Sequence, residues 1–137
     1  MSDVVLDASL FGPLIIADEA EELHDALMPL LIEGRGIVPE HWRLEVTNLG
    51  LVALRRKRLD RRELLEAMAR VDAFAVRTDP ATSQMSMGRT LDLALHHGLT
   101  SYDAAYLELA LRLSLPLFSK DKALRKAAVD TGTRLHA

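Results

Sequence analysis

The chain has no cysteine, which excludes disulfides, thiolate zinc sites and cysteine nucleophiles together and leaves any metal to oxygen or imidazole. A reducing compartment is compatible with that lack. Aromatic residues make up only 4% of the sequence, a thin supply for reading bases by stacking. No apolar run approaches the roughly 20 residues that span a bilayer. The opening "MSDVVLDASLFGPLII" has acids where a secretory signal needs bases, and Pro13 breaks its short apolar stretch. A cytoplasmic protein with no membrane partner is expected. There is no excess of positive charge either, with 17 Lys and Arg against 20 Asp and Glu. Any nucleic acid would therefore have to meet a local basic patch. Pro/Gly/Ser-rich linkers, low-complexity tracts and internal repeats are also lacking, so residues 1–137 are expected to form one domain.

What is present is an ordinary globular mixture, 49% apolar and 27% charged, which excludes disorder as a general description. "DVVLD" reads as a first strand passing into a helix with Ser9 as N-cap, which leaves Asp7 at the strand's carboxyl tip. A helix is expected near "DEAEELHDALMPLL", where Asp18 and Glu21 have capping-box spacing, and Gly34 and Gly36 end it. "GIV" reads as the second strand. Pro39 then suits the first position of the helix "PEHWRLEVTNLGLVALRRKR". "RRELLEAMARVDA" is helical and leads to a strand at "FAVR". After Pro80 the segment through "GRTLDLALHHG" is expected to be helical at least in its second half, stopping at Gly98. Thr100 starts another helix, "PLFS" is the fourth strand, "DKALRKAAVDTG" the last helix and "TRLH" a weak strand. Short strands alternating with helices predict an α/β fold with a mainly parallel sheet covered on both faces. Ligands of such sheets gather at the strands' carboxyl ends.

Certain acids do not fit their surroundings. In the helix after Pro39, Trp42, Val46, Leu49 and Ala53 form the expected inward stripe, and Glu45 lies on it, with Asn48 one turn later placed to orient it. In "SYDAAYLELALRL", Glu108 and Arg112 occupy the narrow polar side as an i,i+4 pair. Asp103 instead lines up with Leu107, Ala110 and Leu111. Asp121 follows "PLFS" as Asp7 follows "VVL". Each acid taken singly has an ordinary explanation as a cap, strand-end acceptor or rim residue. Taken together, Asp7, Glu45, Asp103 and Asp121 are all placed at one end of the sheet. Clustered buried carboxylates raise one another's pKa and are costly without a cation. Magnesium, or manganese, is the compensation their hard oxygens favour.

From end to end, these segments resemble PIN-domain ribonucleases, specifically the VapC toxins of type II toxin–antitoxin pairs. "VVLDAS" is similar to that family's first acidic strand, "LEVTNL" to its glutamate helix, "HGLTSYDAAYLELALRLSLPL" to its third acidic segment and "FSKDKALRKAA" to its fourth. The resemblance implies a PIN-like three-layer α/β/α domain with a central sheet of four or five strands. It implies a magnesium-dependent endoribonuclease inhibited by a cognate antitoxin, and a homodimer. Asp7, Glu45, Asp103 and Asp121 would be its catalytic, metal-binding acids. Ser9, Asn48 and Ser119 would position water or those acids. Ser119 stands where many relatives have threonine, and Leu124 where some carry a further acid, which would weaken the hold on a second ion.

The one dense basic run, "RRKRLDRR", offers Arg55, Arg56 and Arg58 to an RNA backbone, although such charges also suit a helix C-terminus. His96 and His97 precede a helix-ending glycine and suit its dipole better than zinc. Ser9 lacks the "GxSxG" elbow of a hydrolase, "GRG" is too little for a nucleotide loop, and Met85 and Met87 read as core filling. Two rival readings remain. One is a phosphoacceptor module using acids at strand ends, disfavoured because Ala8 follows Asp7 and Asp79 adjoins Pro80. The other is a catalytically degenerate PIN domain serving as a protein- or RNA-binding module.

Overall fold

The computed structural model describes residues 2–16 and 21–137. Four short strands, β1 (Val4–Leu6), β2 (Gly36–Val38), β3 (Arg77–Thr78) and β4 (Leu117–Phe118), form an all-parallel sheet in the order β3-β2-β1-β4. Val5 stands opposite Ile37 on one side and Leu117 on the other. β1 is buried along its whole length, which is why "VVL" is continuously apolar instead of alternating.

A 3₁₀ turn (Ala8–Phe11) leads from β1 into α1 (Gly12–Ile15), and α2 (Glu21–Ile32) completes the crossover to β2. Next come α3 (Trp42–Arg55) and α4 (Arg61–Asp72) before β3. The segment from β3 to β4 contains α5 (Thr82–Met85), a π-helical turn (Ser86–Thr90), α6 (Leu91–His97) and α7 (Ser101–Leu113), and α8 (Lys122–Asp130) follows β4. The strand order explains the three α/β/α layers. Right-handed crossovers that step from β1 to β2 to β3 keep their helices on one face, whereas the return across β1 to β4 puts the next helices on the other. The direction reverses between β1 and β4. That reversal opens a crevice at the strands' carboxyl ends.

Local chemistry sets the helix ends. α4 begins with a full capping box, Asp60 accepting from the Glu63 amide and Glu63 from the Asp60 amide. α2 stops where Gly34 turns left-handed at φ +67°, a conformation without steric cost only for glycine. Along α3 the buried stripe is Trp42, Val46, Gly50 and Ala53. A methyl group at Gly50 would stand 2.5 Å from Leu64 Cδ1 and 3.2 Å from Met68 Cε, so glycine lets α4 lie close.

Several expectations are corrected. Leu49 is exposed and Gly50 holds the inward position, because the stripe follows the i+4 row. Pro39 precedes α3: its carbonyl accepts from the Trp42 amide in a turn. Ser9 lies inside the 3₁₀ turn, for which Asp7 is the N-cap residue. Gly36 belongs to β2 instead of ending α2. The third strand forms at Arg77–Thr78, at the end of "FAVR", and "TRLH" contributes one parallel bridge, Leu117 to Leu135. The segment after Pro80 is helical in its second half and stops at Gly98 as expected, and helical structure extends back to Thr82. Met87 is 90% exposed and fills no core. The Asp18–Glu21 capping box lies outside the described residues. Among the described residues no helix is long and apolar enough to cross a membrane.

Candidate active site

Asp7 leaves β1 at its carboxyl end and is nearly fully buried. Its Oδ2 accepts 2.7 Å hydrogen bonds from the hydroxyls of both Ser9 and Ser119. Ser119 follows β4, so these bonds join the ends of the two strands that flank the crevice. Burial pushes the Asp7 carboxyl above its ordinary value, opposed by the two serines and reinforced by Glu45. The Ser119 hydroxyl also accepts from the Asp121 amide at 3.0 Å, while Asp121 caps α8 by accepting from the Leu124 amide at 2.9 Å. Asp121 is thus a helix cap and a cleft acid at once.

Glu45 occupies the first turn of α3. Its Oε1 accepts from the Tyr106 hydroxyl at 2.6 Å and lies 3.1 Å from His41 Nε2. The same nitrogen is 3.1 Å from the Tyr102 carbonyl. Two acceptors facing one ring nitrogen require that it carry the proton. Burial alone would raise the Glu45 carboxyl, but the bonds from His41 and Tyr106 hold it below its usual range. Burial beside Glu45 keeps the Tyr106 phenol protonated, far above its ordinary value.

Asp103 stands at the start of α7, where Thr100 caps the helix by accepting from the Asp103 amide at 3.1 Å. Burial, and then the charges of Asp7, Asp121 and Glu45, push its carboxyl up to about 6. Burial is the larger cause, and the other three acids add to it because they stand near enough to act on Asp103.

All four acids line one cleft of about 520 Å³, with Ser9, Asn48, His41, Leu49 and Tyr102 also in its walls. Among the described residues no three acids or histidines draw close enough to enclose an ion as they stand. Asp7 Oδ2, Glu45 Oε1 and Asp121 Oδ2 are instead turned toward protein donors. The donor set nevertheless fits a hard divalent cation: it is all carboxylate oxygen, and among the described residues in the cleft walls there is no lysine or arginine to offset its mutual repulsion.

Asn48 shares the cleft, yet the groups that fix Glu45 are His41 and Tyr106, neither of which the sequence pattern singled out. The signal was present: His41 is one turn before Glu45 on α3, and Tyr106 one turn after Asp103 on α7. Arg55, Arg56 and Arg58 are exposed around the end of α3. Arg56 and Arg58 line a groove that also includes Leu49, so Leu49 is shared by the acidic cleft and the basic groove. Glu108, 2% exposed, is not simply on a polar side. Its partner Arg112 bonds it at 2.8 Å and also reaches Asp79 at 2.6 Å, which ties α7 to the end of β3.

The PIN domain family model matches residues 4–130, and the chain belongs to that family. A search of curated proteins gave no match. Among solved structures, VapC20 of Mycobacterium tuberculosis, described as a sarcin-ricin loop cleaving toxin, is 17% identical with a TM-score of 0.66, over 91% of this chain and 95% of that one. PAE2754 of Pyrobaculum aerophilum is 23% identical with a TM-score of 0.63, over 92% and 79%. FitAcB of Neisseria gonorrhoeae is 15% identical with a TM-score of 0.63, over 98% and 96%. At these identities the likeness is one of fold.

Proposed function

We propose that residues 1–137 act as a single metal-dependent endoribonuclease unit, the cytoplasmic toxin of a type II toxin–antitoxin pair. One observation carries the reading: four acids from four separate segments share one cleft, and three of them together with burial raise the fourth. Family membership and the description of VapC20 support RNA as the substrate. Asp7, Glu45, Asp103 and Asp121 would hold magnesium, with manganese as substitute. Divalent ions bound there would supply activation of water and stabilisation of the departing oxygen. The chain's own residues position these acids: Ser9 and Ser119 hold Asp7, and His41 and Tyr106 hold Glu45. Arg56 and Arg58 would steady the RNA backbone beyond Leu49. A cognate antitoxin would silence the enzyme by covering the acidic cleft, and the active form would be a homodimer.

The test is incubation of purified protein with RNA and magnesium, repeated with Asp7→Asn and with a chelator. Wild-type cleavage that both treatments abolish is expected. RNA left intact by the wild type, but bound by it, would favour the degenerate binding module.

A further inference from the structure

Next to the acidic cleft lies a second hollow of about 280 Å³. His41 and Tyr102 belong to the walls of both, so the two hollows adjoin at these side chains. Five of its other wall residues, Thr82, Ser83, Ser86, Thr90 and Ser101, carry hydroxyls, and Glu40 adds a carboxylate, although most of the lining surface is apolar. Half of these polar groups are already partnered. Thr82 accepts from the Glu40 amide at 2.9 Å, Ser86 donates to the Ser83 carbonyl at 2.7 Å, and Glu40 Oε1 accepts from the Ser83 amide at 3.1 Å.

Thr90 stands apart. It is 3% exposed, and its hydroxyl has no hydrogen-bond partner among the described residues. A buried hydroxyl left alone is unfavourable, and this one ends the π-helical turn Ser86–Thr90, a distortion often found where helices serve a ligand. Tyr102 supplies an aromatic face. It is 62% exposed, its ring centroid is 5.7 Å from that of His41, and it immediately precedes Asp103. The chain has only two tyrosines, and both stand at this cleft. Scarcity of aromatics in the sequence says nothing about where the few are placed.

We propose that this hollow is a nucleoside subsite that takes a base bearing an exocyclic amino group, stacked on Tyr102, beside the phosphate held at the acids; it rests on the ribonuclease reading above. Single-stranded RNA is read by stacking and by hydrogen bonds to splayed base edges. Glu40 accepts hydrogen bonds only, so it suits the amino groups of cytosine, adenine or guanine, whereas uracil's one edge donor, N3–H, lies between two carbonyl oxygens that repel a carboxylate. The Thr90 hydroxyl is enclosed in the wall, so it gains the partner it lacks as the π-helical turn Ser86–Thr90 yields to the base.

The test titrates full-length protein, followed by amide NMR, with CMP, AMP, GMP and UMP, and maps cut sites on a mixed-sequence RNA. The three amino-bearing nucleotides are expected to shift amides of Ser86–Thr90 and Tyr102 and to bind about tenfold more tightly than UMP, the scale of a hydrogen bond to a charged group. Thr90→Val is expected to shrink that ratio. Glu40→Gln, a surface change that spares the fold, adds an amide donor for uracil and is expected to bring the ratio to about one. Equal shifts for all four nucleotides, or cut-site bases unchanged in both variants, would overturn the subsite. If the wild type cleaves no RNA, the nuclease reading fails, and the mononucleotide titration alone decides the subsite.

Discussion

At the scale of single residues, the raised carboxyl of Asp103 makes the most direct prediction. Between its ordinary value of 3.8 and about 6, the folded chain binds more protons than the unfolded one, so stability falls as pH rises through that window. Asp7 is raised too and adds to the fall, while Glu45, held low, opposes it. In chelator, urea midpoints are expected to drop from pH 4 to pH 7. Asp103→Asn should flatten the drop and leave the protein more stable than wild type at pH 7, and millimolar magnesium should restore the wild type toward its variant. A variant that keeps the full slope would show that Asp103 is not its source. Ser119→Ala makes a second case. It removes one of two donors to a buried carboxylate, a bond type that contributes roughly 1.5–3 kcal/mol, and it should push the Asp7 carboxyl higher still, visible as a cleavage pH profile displaced upward.

At the scale of elements, two contacts decide how the acid-bearing helices sit. Gly50→Ala should push the ends of the Leu64 and Met68 side chains aside, and because alanine's helix preference of about 1 kcal/mol offsets part of that cost, the net loss should stay under roughly 2 kcal/mol. Arg112→Met leaves Asp79 and Glu108 buried without their shared cation, which should cost roughly 3–5 kcal/mol in urea unfolding. These same contacts mark where the sequence was hardest to read. Spacing placed Trp42, Val46 and Ala53 on one face correctly, since α-helical periodicity is a local property. It could not choose between Leu49 and Gly50, because that choice depends on how near α4 comes. Glu108 and Arg112 were legible as a pair, whereas their burial required knowing that Asp79, remote in sequence, closes over them. Thr90 gave no signal, since a lone threonine before an apolar helix is ordinary.

At the scale of the whole molecule, the succession of strands and helices along the chain and the four acids were legible because each acid sits at a strand tip or in a first helical turn, positions that capping and turn chemistry mark in the sequence. What pattern alone did not supply is the shape between them: the cleft, its hydroxyl-lined neighbour and the groove past Leu49. That groove predicts how RNA binding responds to salt. Replacing Arg56 and Arg58 with glutamine should reduce the slope of log affinity against log salt by about 0.7 for each phosphate that the protein no longer neutralises, measured on single-stranded RNA in the Asp7→Asn background, which is expected not to cleave. A slope unchanged in the double variant would place the RNA elsewhere.

The outermost strands carry one more consequence. β3 is only two residues long and presents Arg77, while the outer side of β4 is already engaged by Arg134 and His136 through Leu117. Neither flank offers a bare row of amides and carbonyls that a foreign polypeptide could zip onto. A chain produced in quantity should therefore resist fibril growth by strand addition, leaving its helices and clefts as the surfaces through which it meets other molecules.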